Sequence, residues 1–226
     1  MKTKLFSLIL IFLLSGSMAF AQRSAGSKTS FAILGGVNLQ NLNGKDINGD
    51  KHDYDLLLGF HAGLNAQVPI APEFYFQPGL MFITKGAKST AGDLSGTLKL
   101  SYIELPLNFV YKAQLGKGYF MLGFGPYVAY GVGGKATYEG GDGSVEYDVE
   151  FKNEVEPDDP HTNVYIRPFD AGANLFFGYE LAGGLFVQLN TQLGLLNIQP
   201  EDKRIDGDNK STLKNTGYGL SLGYRF

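Results

Sequence analysis

The sequence predicts an all-β fold, an eight-stranded antiparallel up-and-down transmembrane β-barrel. Three observations lead there. The stretch 56–70 puts Leu56, Leu58, Phe60, Ala62, Leu64, Ala66, Val68 and Ile70 on one face and Leu57, Gly59, His61, Gly63, Asn65 and Gln67 on the other. That is period two, sustained far beyond the roughly 5–6 residues of a usual strand. The connections between such stretches alternate between long and short, as in barrels with short turns at one membrane face and long loops at the other. The composition is rich in Gly (31), Phe (17) and Tyr (13), has no Cys, and averages to a mean hydropathy of −0.06. Lipid-facing and lumen-facing residues cancel in this way when they alternate along every strand.

The elements follow in order. In 31–39, Phe31, Ile33, Val37 and Leu39 share one face, with Ala32, Leu34 and Asn38 on the other, and 41–55 is a polar loop of Asn, Asp and Gly. Strand two, 56–70, ends at the tight turn Ala71-Pro72-Glu73. Strand three carries Phe74, Phe76, Pro78, Leu80 and Phe82 outward, and 86–96 reads as a polar loop. Strand four, 97–112, sets Ile103, Leu105, Leu107, Phe109 and Tyr111 against Tyr102, Glu104, Pro106 and Asn108. After the short connection 114–118, strand five (119–132) alternates Phe120, Leu122, Phe124, Val128 and Tyr130 with Met121, Gly123, Gly125 and Ala129. The segment 133–163 is acidic and reads as a long loop, with weak alternation over 144–151 that extends the strands. Strand six is 164–181, strand seven 185–197 after the turn Ala182-Gly183-Gly184, and strand eight 214–226, after a polar loop over 198–213.

Even strand number and long loops after strands one, three, five and seven leave both termini at the short-turn, periplasmic side. Aromatic residues near strand ends (Phe74, Tyr111, Phe120, Tyr130, Tyr179, Tyr224, Phe226) fit interfacial girdles. Gly on the inner face suits a narrow eight-stranded lumen, in which small and large side chains share the space. Pro78, Pro106, Pro126 and Pro168 fall within strands and read as bulges or register breaks, because proline cannot donate to the ladder.

Residues 1–21 read as a cleaved signal peptide. Lys2 and Lys4 precede the apolar run 5–14, and Ala19-Phe20-Ala21 fits the small-x-small cleavage rule. Residues 22–30 read as a flexible leader and 31–226 as the barrel domain. Without cysteine there is neither a disulfide framework nor a thiolate metal site, and a formal net charge of −3 argues against a nucleic-acid partner.

Several motifs run along the chain: Gly35-Gly36-Val37-Asn38, Gly59-Phe60-His61-Ala62-Gly63-Leu64, Phe76-Gln77-Pro78, Tyr102-Ile103-Glu104-Leu105-Pro106-Leu107, Gly123-Phe124-Gly125-Pro126-Tyr127 and Gly223-Tyr224-Arg225-Phe226. With them the chain resembles the small outer-membrane β-barrels common in Bacteroidetes-type bacteria, the group that includes PorT-like and OmpX-like proteins. Gly79 departs from that pattern, which more often has Glu there. The resemblance implies a bacterial outer-membrane location, outer-membrane lipid as surroundings, and Phe226 as a terminal signal for the barrel-assembly machinery during insertion.

The inward-facing charges Lys85, Glu104, Asp170, Glu180 and Arg225 are expected to form a structural lumen network, since a buried carboxylate needs a partner. Lys85 and Arg225 are the candidates for Glu104, and Glu180 and Arg225 stand near the same barrel end. His61 faces the lumen near Asn65, but no motif places a serine beside it, so no catalytic residue is assigned. The fragments 46–50 and 206–209 lack the full calcium-loop spacing and read as turns, and no cofactor or metal is expected. The function expected is non-enzymatic: a structural or surface-interaction barrel without an open pore, with an extracellular or envelope protein partner. Two alternatives are an accessory in protein secretion or envelope assembly, as for PorT-like proteins, and a soluble periplasmic lipocalin-like ligand-binding barrel. The last requires the aliphatic face of 56–70 to be buried in protein.

Overall fold

The computed structural model describes residues 28–46, 49–141, 143–205 and 211–226. The expected signal peptide and most of the leader lie outside them. Eight strands form a closed ring: β1 (Ser30–Lys45), β2 (Leu57–Ala71), β3 (Phe74–Ala91), β4 (Leu94–Leu115), β5 (Gly118–Gly140), β6 (Phe169–Leu181), β7 (Leu185–Gly194) and β8 (Thr212–Arg225). Each pairs antiparallel with the next, and β1 closes on β8 from Ala32↔Arg225 to Lys45↔Thr212. At the seam a Cβ on Gly36 would stand 2.0 Å from the Leu220 carbonyl oxygen, so only glycine lets the two backbones approach there.

One end of the ring has short turns. Pro72 and Glu73 link β2 to β3, with Glu73 at φ 63°, and Gly116 at φ 62° opens the turn to β5. Gly184, at φ 88°, closes the β6–β7 turn. The other end carries more ordered structure than the sequence suggested. The expected loop 86–96 is instead a hairpin, with β3 and β4 paired up to Ala91↔Leu94 and Gly92 at φ 62° in the turn. Within 133–163, β5 runs on to Gly140 and a strand Gly143–Phe151 returns along it, as the weak alternation suggested. Strand six is split: Val164–Ile166 pairs parallel with Val149–Phe151, and Pro168 stands outside the strands before β6 begins. β7 stops at Gly194, where the Leu195 and Leu196 N–H groups donate to the Ala171 carbonyl instead of a ladder. Short pieces Glu154–Val155 and Glu201–Asp202 pair parallel, and Lys51–His52 pairs with the end of β1.

Pro78, Pro106 and Pro126 do not break register, whereas Pro168 stands at the break in predicted strand six. The ladders skip residues near Pro78 and between Pro106 and Phe109, then resume unchanged. The register shifts lie elsewhere, between Pro69 and Ala71 and between Ser101 and Tyr102, where Val132 of β5 is the extra residue. A missing N–H is tolerated as a local gap, and an inserted residue is what moves the pairing.

Burial divides the ring into two zones. Over most of its height the outer face is apolar and exposed: Leu58 is 65% accessible, Leu64 53% and Ile70 43%. The lipocalin-like reading is thereby overturned, since that aliphatic face is not covered by protein. The inner face there is polar, with Asn38, His61, Asn65, Gln77, Asn108 and Gln188 buried. Toward the loop end the pattern inverts. Leu42, Ala87, Leu100, Val149 and Ile166 turn inward into one apolar cluster, while Lys88, Thr97, Lys99, Lys135 and Thr137 occupy the alternate positions. Ile198 and Leu213, expected in a polar loop, complete this cap, at 0% and 7% exposure. A second apolar cluster, Ala32, Val110, Met121, Phe176 and Phe186, fills the lumen toward the short-turn end.

Candidate functional site: a sealed and ion-paired lumen

The five charges predicted from the sequence all lie inside the ring, but in two separate groups. Alternation turns Lys85 (β3), Glu104 (β4) and Asp170 (β6) inward, and the register brings them together. Lys85 Nζ lies 2.9 Å from Glu104 Oε2 and 3.0 Å from Asp170 Oδ2, with side-chain exposures of 0–3%. Neutral donors add to the carboxylates, although Asp170 Oδ1 is buried without a hydrogen-bond partner. Tyr127 OH and Asn215 Nδ2 donate to Asp170 Oδ2 (3.2 and 2.9 Å), and Gln192 Nε2 donates to Glu104 Oε1 (2.6 Å). The ammonium also stands 4.1 Å from the Tyr127 ring centroid, a favourable cation–π distance.

The second group ties the short-turn end. Arg225 Nε donates to Glu180 Oε2 at 3.0 Å, joining β8 to β6 as expected, and Lys112 Nζ holds Glu180 Oε1 at 2.7 Å from β4. Arg225 reaches further to Asn65 Oδ1 (3.2 Å) and Gln77 Oε1 (3.4 Å). Arg225 is therefore no partner of Glu104. It pairs with Ala32 at the very end of the ladder, whereas Glu104 sits opposite Met81 and Ala129, well up the barrel. Lys112 was missed in the sequence, although a count of two from Glu104 through Pro106, Asn108 and Val110 places it on the same inner face.

Between the groups lies a cavity of about 60 Å³, lined by His61, Asn65, Gln77, Asn108, Asn174 and Gln188 among others, with room for a few waters. His61 does have a serine beside it: Ser221 Oγ lies 2.7 Å from His61 Nε2, and Asn190 Nδ2 donates to that hydroxyl at 3.1 Å. Ser221 comes from β8, remote in sequence, which is why no local motif revealed it. Among the described residues no hydrogen bond orients the other imidazole nitrogen, and both side chains are at most 5% exposed. A nucleophile needs an oriented base and access for a substrate. The pair instead fastens β2 to β8 across β1.

The exposed aromatic pairs mark two levels on the outer wall. Phe74 packs on Tyr111 (5.1 Å) and Tyr224 on Phe226 (5.1 Å) near the short-turn end, and Tyr130 on Phe169 (5.2 Å) below the cap. A ring of strands with an apolar wall, aromatic levels and a polar packed interior is the outer-membrane design. The family described as outer membrane protein beta-barrel domain matches residues 20–199. The chain belongs to that family. No curated protein matches it in sequence. Among solved structures it is similar to Neisserial surface protein A (10% identity, TM-score 0.44, covering 88% of this chain and 100% of that one) and to OprG from Pseudomonas aeruginosa (13%, 0.42, 87% and 95%). It is also similar to Ail, the attachment invasion locus protein of Yersinia pestis (12%, 0.39, 88% and 100%). β8 lies beyond the matched residues, yet it supplies Ser221, Asn215 and Arg225 to the interior of this outer-membrane barrel.

The fragments expected as turns, 46–50 and 206–209, fall partly or wholly outside the described residues, and among the described residues no cluster of three or more His, Cys, Asp or Glu is placed to hold a metal. The acidic segment after β5 is paired instead by its own Lys152 and by Lys203 of the segment before β8, where Asp202 and Arg204 also lie. Lys152 Nζ donates to Asp159 Oδ1 (2.6 Å), and Arg204 grips Asp202 through Nε and NH2 (2.8 and 2.7 Å). The Lys152 hydrogen bond holds the Asp159 carboxyl below the usual range, and the Arg204 guanidinium does the same for Asp202. A depressed folded-state pKa means stability that is present above the unfolded value and lost as pH falls through the folded one. The cap is therefore expected to loosen below about pH 4, while the ring stays closed. Pepsin digestion at about pH 3 should cut between β5 and β6 and leave the strands intact; cleavage no faster there than at about pH 5 would contradict this.

Proposed function

We propose that this is a non-enzymatic barrel with a surface-interaction role, its loop end at the cell exterior, both termini in the periplasm and its lumen closed to ions. One observation carries the reading. β3, β4, β5 and Gly143–Phe151 continue past the apolar band as a four-stranded sheet with an open edge. Gly143–Asp148 of the outermost strand pairs with β5 alone among the described residues, while Val149–Phe151 turns to Val164–Ile166. Its remaining N–H and C=O groups form a template for an extended segment of a protein partner, and Glu146 and Asp148 discourage self-pairing. The two ion-paired groups and two apolar clusters support a closed lumen. Nothing in the geometry favours an accessory role in secretion over this reading.

Two measurements test it. The chain has no cysteine, so single cysteines at Ser144 and Lys117 can be labelled in intact cells with a membrane-impermeant maleimide. Ser144→Cys is expected to react and Lys117→Cys not to; the reverse pattern would invert the proposed orientation. In planar bilayers the protein is expected to give no stable open channels, and steady unitary currents would refute the closed lumen.

A further inference from the structure

The cap contains a cavity that neither the ring nor the sheet edge requires. It encloses about 400 Å³ between the inner face of the protruding sheet and the segments before β6 and β8. This lies within the roughly 300–1,000 Å³ of small-ligand sites. Its floor residues Leu42, Val155 and Ile166 are 1–3% exposed and pack on one another or on neighbouring strands, so they offer little surface to a ligand. What faces the space is of another kind: the Tyr54 and Tyr138 side chains, the Gly96 backbone beneath the Tyr138 ring, and Gln199, whereas the Asn163 amide at the rim is held by Glu150 and Thr162. Tyr138 is 51% exposed, unusual for a large ring on the inward face of a sheet. Among the described residues the charged ones lining the cavity are Asp202 and Arg204, which satisfy each other through two hydrogen bonds, and Arg204 NH1 is taken by the Asp159 and Pro160 carbonyls. The described lining is thus uncharged in effect, aromatic on one side and polar at Gln199 on the other.

We infer that this cavity is a binding site for a neutral saccharide of one or two rings. Aromatic side chains present apolar faces with a polar tip, which suits the C–H face of a sugar ring. The Gln199 amide supplies both donors and an acceptor, which suits its hydroxyls. A charged ligand would find no unpaired counter-charge, and a purely apolar one would leave that amide without a partner. The inference goes beyond the proposed surface role and is tested in detergent micelles, where membrane orientation plays no part, so the two can fail separately.

The chain lacks tryptophan, so Tyr138→Trp installs a single indole in the cavity wall while keeping an aromatic platform. Its emission is titrated with maltose and N-acetylglucosamine, with lipopolysaccharide micelles in a separate arm, and with hexanol as the apolar comparison. A saturable change with a sugar, weakened about tenfold by adding Gln199→Ala, is the expected result. A change in the lipopolysaccharide arm alone assigns the saccharide to the membrane's own glycolipid. No saturable change with any saccharide, or one with hexanol only, overturns the inference. Saturation-transfer NMR of the unmodified protein with the same two sugars guards against loss of folding in the variant, and absence of transfer there, together with no change in the lipopolysaccharide arm, overturns the inference equally.

Discussion

Replacing Lys85 by methionine is expected to destabilise the barrel by about 3–5 kcal/mol, the usual cost of removing one partner from a buried ion pair. Methionine retains much of the aliphatic stem, so the loss isolates the ammonium. Glu104 and Asp170 would then stand without a cation beside them, both essentially inaccessible. The donors from Tyr127, Asn215 and Gln192 soften the effect but cannot neutralise two charges. Denaturant unfolding in lipid vesicles, followed by far-ultraviolet circular dichroism, measures it. Combining Lys85→Met with Glu104→Gln and Asp170→Asn should recover much of the loss, because the triple variant removes the charges that the single one strands. A loss under about 1 kcal/mol for the single variant would show that the network contributes little.

Leu64→Arg carries the second largest expected effect, about 2–4 kcal/mol of destabilisation in a bilayer. Leu64 lies midway along β2, paired with Ile33 and Leu80, and is 53% exposed. Were that face in water, the substitution would be nearly neutral, within about 0.5 kcal/mol. Leu58→Arg, nearer the loop end on the same face, should cost only about 0–1 kcal/mol. The difference between two identical changes six residues apart on one strand therefore reports depth in hydrocarbon. Equal costs at both positions would contradict a membrane-spanning wall.

The band of the barrel was legible because one rule, alternation against lipid, governs every residue from Leu58 to Ile70 or from Phe120 to Tyr130. Pairing by sequence separation was not legible. Ser221 meets His61, and Lys112 meets Glu180, only once the ring closes. The cap was misread as loops for a further reason. In β4 the apolar residues are Ile103, Leu105 and Leu107 within the band but Leu98 and Leu100 above it, so the pattern changes phase within one strand. In β5 the bulge at Val132 does the same in the opposite way. Phe124, Val128 and Tyr130 face out while Ala136 and Tyr138, of the same parity, face in. A reading that assumes a fixed face loses the strand after Val132 and substitutes a loop over 133–163, although it kept 97–112 as one strand.

That change of phase also works as a waterline. Below it every outward residue prefers hydrocarbon, and above it Lys88, Lys99 and Lys135 prefer water. Pushing the barrel down by one pair of residues, roughly 7 Å along a strand, would drag these amines into lipid. Lifting it as far would strip hydrocarbon from Tyr130 and Phe169. The two penalties oppose each other, so the wall itself sets the height at which the barrel sits, and the protruding sheet stands a constant distance clear of the bilayer.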